Sequence, residues 1–293
     1  WHVNVLCSDS LRLGSPCCSL RLASRSPQSS STSHGGHSYG YYLNWPFAFP
    51  GPLGFRWVRQ FDMILHHAVF HPEPMLDALR PQARRPFALT ILREPRTQIV
   101  SAYDFFSQYP SFAALPAKST SGHLTYFGAL NSTWQDPFNF GRFRNPQSHD
   151  LGWYQRHGGS AAFDDDGARI ASWLALLTSS LDLVMILEHM DASLVLLARA
   201  LGCPLAMIGS YSCAKNVFGG EHTRLTAEEH RLVRRLHGVD RALYRHFLRR
   251  LLPLLPYLRA DVQQLRRARC SSHMCGFCES QSRRVVPIDP LEI

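Results

Sequence analysis

Residues 87 to 106 read Phe-Ala-Leu-Thr-Ile-Leu-Arg-Glu-Pro-Arg-Thr-Gln-Ile-Val-Ser-Ala-Tyr-Asp-Phe-Phe. The stretch from Phe87 to Leu92 is a near-continuous apolar run after Arg84-Arg85-Pro86, which suits a strand covered on both faces in a parallel sheet. It ends at Arg93. Two residues later Pro95 stands where the first turn of a helix tolerates it, and Ile99, Tyr103 and Phe106 recur at helical spacing towards Gln108. The stretch is therefore strand, tight turn, helix. Arg93 at the carboxyl end of the strand and Ser101 eight residues on place a guanidinium and a hydroxyl beside the crevice where open α/β sheets bind ligands. Arginine offers a planar fork of donors that matches phosphate, and the serine adds a donor without charge. Spacing alone is equally compatible with an arginine that ends a strand and a serine on an indifferent helix face.

Working outward, residues 61 to 65 form a short strand-like run that delivers His66 and His67, and Pro72 opens a short helix to Leu79. Residues 109 to 162 carry Pro, Gly, Asn and aromatics with little period; they are too long for a plain connector and are expected to line or cover a site. A helix is predicted over 168 to 179 and a second buried strand over 181 to 187. Asp191 is expected to cap a helix that runs to Leu201 and is closed by Gly202. Thr226 with Glu229 makes a capping box for a helical tail broken near Gly238, Pro253 and Pro256. This order argues an α/β domain with a parallel sheet flanked by helices, over residues 37 to 252, and a helical, cysteine-containing extension over 253 to 293. Residues 1 to 36 are serine-rich, show no sustained period and read as a disordered or non-native tail.

The chain has 293 residues, 45% of them apolar, which is globular composition. A formal charge of +9 suggests anionic partners, among them nucleic acid, phosphate- or sulfate-bearing small molecules and acidic glycans or lipids. Only Lys118 and Lys215 are lysines, so any step that needs an ammonium has two candidates. The arginines between 224 and 269 flank leucine stripes as a solvated face does, and stacking aromatics between them are sparse, which argues against nucleic acid. Asn131-Ser132-Thr133 is a glycosylation sequon and points weakly to the secretory route. No uncharged apolar stretch reaches the roughly 18 to 20 residues that span a bilayer, so membrane attachment is expected only through a segment outside this chain, which begins at Trp1. The eight cysteines leave the compartment open. Cys270, His273, Cys275 and Cys278 invite a zinc reading, but their crowded spacing leaves no second knuckle, and no metal is expected there.

Arg93-Glu94-Pro95 with Ser101 and Tyr103 resembles the 3′-phosphate-binding motif of sulfotransferases that use 3′-phosphoadenosine 5′-phosphosulfate. Residues 61 to 70, Phe-Asp-Met-Ile-Leu-His-His-Ala-Val-Phe, are similar to a segment of the galactose 3-O-sulfotransferases, the group containing galactosylceramide sulfotransferase. Asp182-Leu183-Val184, Glu188 and residues 193 to 197 resemble that family's later strand and helix. Asp240, Leu243, Tyr244, His246 and Phe247 resemble its D-x-x-L-Y-x-H-F helix. The resemblance implies a P-loop-type sulfotransferase fold and transfer of a sulfuryl group to the 3-hydroxyl of a β-galactose on a glycolipid or glycan, on the luminal side of the Golgi membrane. It makes Arg93 and Ser101 the ligands of the donor's 3′-phosphate and His67 the base, with His66 the second choice. Lys215, beside Asn216, resembles a residue of a loop that approaches the nucleotide. One departure stands against these matches: the family's lysine-containing 5′-phosphosulfate loop has no counterpart in residues 1 to 60. The other reading is therefore a non-catalytic relative or fragment that binds anions without that loop. The acceptor, the oligomeric state and the cysteine pairing are not legible.

Overall fold

The computed structural model describes residues 4–7, 63–66, 68–79, 86–106, 144–208 and 225–269. In chain order the elements are β1 (Asn4–Cys7), β2 (Met63–His66), α1 (Pro72–Ala78), β3 (Phe87–Leu92), α2 (Pro95–Phe106), α3 (Pro146–Asp150) and α4 (Trp153–Arg156). There follow α5 (Gly167–Ser180), β4 (Leu183–Ile186), α6 (Met190–Leu201), α7 (Leu205–Ile208), α8 (Ala227–Leu236), α9 (Gly238–Leu251) and α10 (Leu255–Arg269). The result is a helix-rich mixture of α and β structure with a small sheet. It divides into two compact units, Trp1–Ile91 with Leu130–Asp182 and Leu92–Ala129 with Leu183–Ile293.

In the first unit β1 lies between β2 and β3 and runs antiparallel to both. Its register sets Leu6 opposite Ile64 on one side and opposite Ala88 on the other. β2 and β3 therefore run in the same sense with a reversed strand between them. Two expectations change here: the sheet is not wholly parallel, and residues 1 to 36 contain a strand. Asn4–Cys7 is too short to show a period-2 pattern, and strand formation there is decided by the facing edges of β2 and β3 rather than by local propensity. Beyond β3 the chain is pinned at Asp182, whose amide donates to the Ala88 carbonyl at 2.8 Å while its carboxylate accepts the Ala88 amide at 2.7 Å.

Ala68, Val69 and Phe70, just past β2, are buried, and the Phe70 amide donates to the Asp150 carbonyl at 2.7 Å. That contact brings α3 close enough that a Cβ on Gly152 would stand 2.6 Å from the Phe70 carbonyl oxygen, and Gly152 also has φ of 84°. Glycine is required on both counts. Next to it Asp164 gathers a polar hub. Its carboxylate accepts from Arg144 Nε at 2.8 Å, Trp153 Nε1 at 3.0 Å, Tyr154 OH at 3.0 Å and Asn145 Nδ2 at 3.1 Å. Burial pushes the Asp164 carboxyl above its usual range, and the Arg144 charge and these donors oppose that shift. The described part of the segment expected to line a site is thus a packed support, with Trp153 and Tyr154 fully buried and Trp153 edge-on to Trp173 of α5 at 5.4 Å.

In the second unit β4 ends against α6, where the Ser193 hydroxyl accepts the Ile186 amide at 2.9 Å. Gly202 closes α6 in the left-handed region at φ of 65°, as expected. Asp191 does not cap that helix. His189 holds the cap position without a side-chain bond, and Asp191, the second residue of the helix, accepts from Arg266 of α10 at 2.7 Å. The Thr226 and Glu229 capping box forms, α8 stops at His237, and α9 buries Val239, Leu243, Phe247, Leu248 and Leu251 along one stripe. Two ion pairs tie α10 to α6, Arg266 with Asp191 and Arg199 with Asp261. Both are exposed enough to contribute no more than about 1 kcal/mol each, so the docking rests on Leu258 and Leu265, seven residues apart and fully buried.

These magnitudes separate two kinds of charge. Asp164→Ala strands the Arg144 guanidinium, an indole N–H and a phenol, and should cost about 3 to 5 kcal/mol in urea unfolding. Asp261→Ala should cost less than about 1 kcal/mol. Comparable losses would overturn the hub assignment. Gly152→Ala should cost on the order of 2 kcal/mol or more from strain and the carbonyl clash together.

Candidate anion-binding turn

The turn from β3 to α2 lies wholly in the second unit, and it is built from backbone demands. Pro95 at the first helical position has no N–H, and the Glu94 and Thr97 amides are among those with no partner inside the helix. Glu94 turns its own carboxylate onto the helix end and accepts the Thr97 amide at 2.9 Å, with Arg96 Nε beside it at 3.1 Å. The helix N-terminus is thereby occupied by an internal anion. The Thr97 amide is therefore already paired, and the neighbouring side chains carry the remaining polar chemistry of the turn.

Those side chains form a column. Arg93 Nε donates to Thr97 Oγ1 at 3.1 Å, and Thr97 and Ser101, four residues apart on α2, share one helix face. Arg93, Thr97 and Ser101, spaced by four, are all half-buried, and the Thr97 hydroxyl is engaged by Arg93 Nε and by the Glu94 carbonyl. Anchoring Nε fixes the plane of the guanidinium, which is the condition for two-pronged binding of a phosphate.

Behind the column sits Glu188, in the short turn Leu187–His189 that follows β4. It accepts the Glu94 amide at 2.9 Å through Oε1 and the Tyr244 hydroxyl of α9 at 3.1 Å through Oε2. Thr97 Oγ1 lies 3.5 Å from the same Oε1. Burial raises the Glu188 carboxyl above its usual range, and the Glu94 amide, the Tyr244 hydroxyl and the Arg93 charge pull it back. Tyr244 is pushed well above the ordinary phenol range, first by burial and then by the Glu188 charge.

Of the residues singled out from sequence, Arg93 follows β3 and Ser101 lies on α2, both half-buried. His66 ends β2 in the first unit. His67 and Lys215 lie outside the described residues, as do Lys118, the sequon and the Cys270 to Cys278 cluster. Thr97 was missed, although a hydroxyl midway between Arg93 and Ser101 at helical spacing was a readable signal. Glu188 and Tyr244 entered only as parts of a resemblance. Among the described residues no group of His, Cys, Asp and Glu is arranged to hold a metal, and no helix is long and apolar enough to cross a membrane. Cys203, just past α6, is disulfide-bonded.

A family model described as Galactose-3-O-sulfotransferase matches residues 34–285. The chain is 26% identical over 213 residues to the Mus musculus protein named Galactose-3-O-sulfotransferase 3, covering 72% of this chain and 46% of that protein. It is 29% identical over 161 residues to the Homo sapiens protein of the same name, covering 54% and 36%. To the Homo sapiens Galactose-3-O-sulfotransferase 2 it is 29% identical over 233 residues, covering 72% and 52%. The chain spans about half or less of the length of these relatives, and no solved structure matches it. Since the family match takes in β2, the Arg93 turn, the Glu188 turn and α9 together, the chain belongs to the galactose-3-O-sulfotransferase family.

Proposed function

We propose that this chain carries the donor-binding part of a P-loop-type sulfotransferase that moves a sulfuryl group from 3′-phosphoadenosine 5′-phosphosulfate to the 3-hydroxyl of a β-galactose on a glycolipid or glycan. The observation that carries the reading is Arg93 directly after β3, its Nε anchored on Thr97, with Ser101 one turn further along α2; a guanidinium and a hydroxyl fit a phosphate monoester. Arg93 and Ser101 hold the 3′-phosphate of the donor. Lys215, the one lysine in a stretch that resembles the family's nucleotide-facing loop, is assigned to the same donor.

In the reaction a bond forms between the galactose O3 and sulfur as the bond from sulfur to the bridging phosphate oxygen breaks. Adenosine 3′,5′-bisphosphate leaves with that electron pair. The hydroxyl proton goes to His67, with His66 the alternative, since an imidazole near its ordinary pKa accepts a proton at neutral pH. The printed names of the relatives support galactose O3 as the acceptor atom. The disulfide at Cys203 supports an oxidising compartment such as the Golgi lumen. The want of any lysine before Lys118 favours a second reading, in which the chain binds the bisphosphate and transfers nothing. A sulfuryl-transfer assay on β-galactosides separates the two: turnover with bisphosphate binding selects the first, and binding without turnover selects the second.

Arg93→Ala should weaken adenosine 3′,5′-bisphosphate by about 2 kcal/mol or more, roughly thirtyfold, because it removes a charge-assisted fork from a phosphate. Calorimetry on the folded variant measures this, and an unchanged affinity would remove the donor-site assignment. His67→Ala should lower the transfer rate by about two to four powers of ten and leave bisphosphate affinity nearly unchanged, since a general base acts on the acceptor proton. His66→Ala should do less to the rate. A larger rate effect at His66 would move the base by one residue.

A further inference from the structure

An acid at the end of β4 is an unexpected choice for a half-buried position beside another acid, Glu94. The Glu94 amide alone calls for one acceptor, which a neutral side chain supplies at lower desolvation cost. Glu188 offers more than one acceptor. Its Oε1 meets the Glu94 amide and lies at the edge of bonding distance from the Thr97 hydroxyl, while its Oε2 takes the Tyr244 hydroxyl. The Thr97 hydroxyl donates to the Glu94 carbonyl at 2.9 Å and accepts from Arg93 Nε. The link from Glu188 towards α2 thus fixes Glu94, whose carbonyl holds the Thr97 hydroxyl that accepts from Arg93 Nε. The link in the other direction ends on α9, whose core stripe of Leu243, Phe247 and Leu251 is rigidly packed.

We infer that Glu188 is a positioning residue for anion binding: it holds the Glu94 amide, the Glu94 carbonyl holds the Thr97 hydroxyl, that hydroxyl sets the plane of the Arg93 guanidinium, and Tyr244 holds Glu188 in turn. The inference rests on the reading of Arg93 as the ligand of the donor's 3′-phosphate. It assigns Glu188 no contact with the ligand. Its contribution passes through Arg93, so it should vanish when Arg93 is gone. A carboxylate that served only the stability of the fold would behave otherwise, lowering the unfolding midpoint with the affinity of the folded protein left intact.

The test is a double-mutant cycle read by calorimetry with adenosine 3′,5′-bisphosphate as the probe, with urea unfolding run on each variant. Glu188→Ala should weaken binding by about tenfold or more, the range expected for loss of a hydrogen bond to a charged group. Glu188→Gln, whose amide oxygen still accepts the Glu94 N–H, should restore affinity to within about threefold of the unsubstituted chain. In the Arg93→Ala background Glu188→Ala should bring no further loss, since coupling of this kind is what a cycle isolates. Thr97→Val, which keeps the shape and removes the hydroxyl, should weaken binding by about fivefold and replaces Glu188→Ala in the cycle if that variant does not fold. Wild-type affinity in the folded Glu188→Ala or Thr97→Val protein, or a full loss persisting in the Arg93→Ala background, would overturn the inference with the donor reading left standing. An unaltered affinity in Arg93→Ala alone would overturn the donor reading and this inference with it.

Discussion

Where β3 ends, the chain must enter α2 within two residues, and the Glu94 and Thr97 amides freed there find no backbone partner inside the turn. Pro95 gives no N–H, the Thr97 amide points back along the axis, and the Glu94 amide points away from it. Two carboxylates answer these demands, that of Glu94 from within and that of Glu188 from the end of β4. The placement of Tyr244 and of α9 goes with that arrangement. Glu188 needs its own second partner, which places Tyr244. Tyr244 needs a packed helix to stand on, which α9 supplies between its capped neighbour α8 and the short turn Leu252–Leu254.

The first unit solves a similar problem by different means. Instead of a turn that needs acceptors, it has donors in excess, the guanidinium of Arg144, the indole of Trp153, the phenol of Tyr154 and the amide of Asn145, and one carboxylate to receive them. A hub of this kind is costly to desolvate and more costly to break, so its worth lies in fixing one arrangement of α3, α4 and the 3-10 turn that follows. Gly152 adds a steric constraint of the same sort, since the close approach to Phe70 leaves no room for a side chain.

How much of this could be read from the sequence depends on the range of the interaction involved. Phe87–Leu92, the helix from Pro95, the glycine stop at 202 and the box at Thr226 all rest on contacts within a few residues, and each appears where the pattern put it. β1 did not, because a four-residue strand is made by its two neighbours. Asp191 has the local pattern of a cap, and nothing local announces Arg266, 75 residues away. Arg93 and Ser101 were legible as a spacing, and Thr97 lay unread between them. Glu188 had no local sign of its role, since its partners stand at 94, 97 and 244. The expected base at His67 and the lysine at 215 fall outside the described residues.

The reach from Glu188 to Tyr244 also bears on how such a site is inherited. The letters that spell the anion motif are contiguous, from Arg93 to Ser101, whereas the atoms that hold it come from three stretches spread over some 150 residues. A recombination breakpoint or a shifted exon boundary anywhere between 101 and 244 would pass the motif on intact in spelling and detached from its support. Two descendants could then carry the same Arg-Glu-Pro signature, one with a phosphate grip and one with only its text. On the proposed reading, the unit to compare between relatives is the set of 93, 97, 101, 188 and 244 taken together, since the signature from 93 to 101 does not contain the groups that hold it.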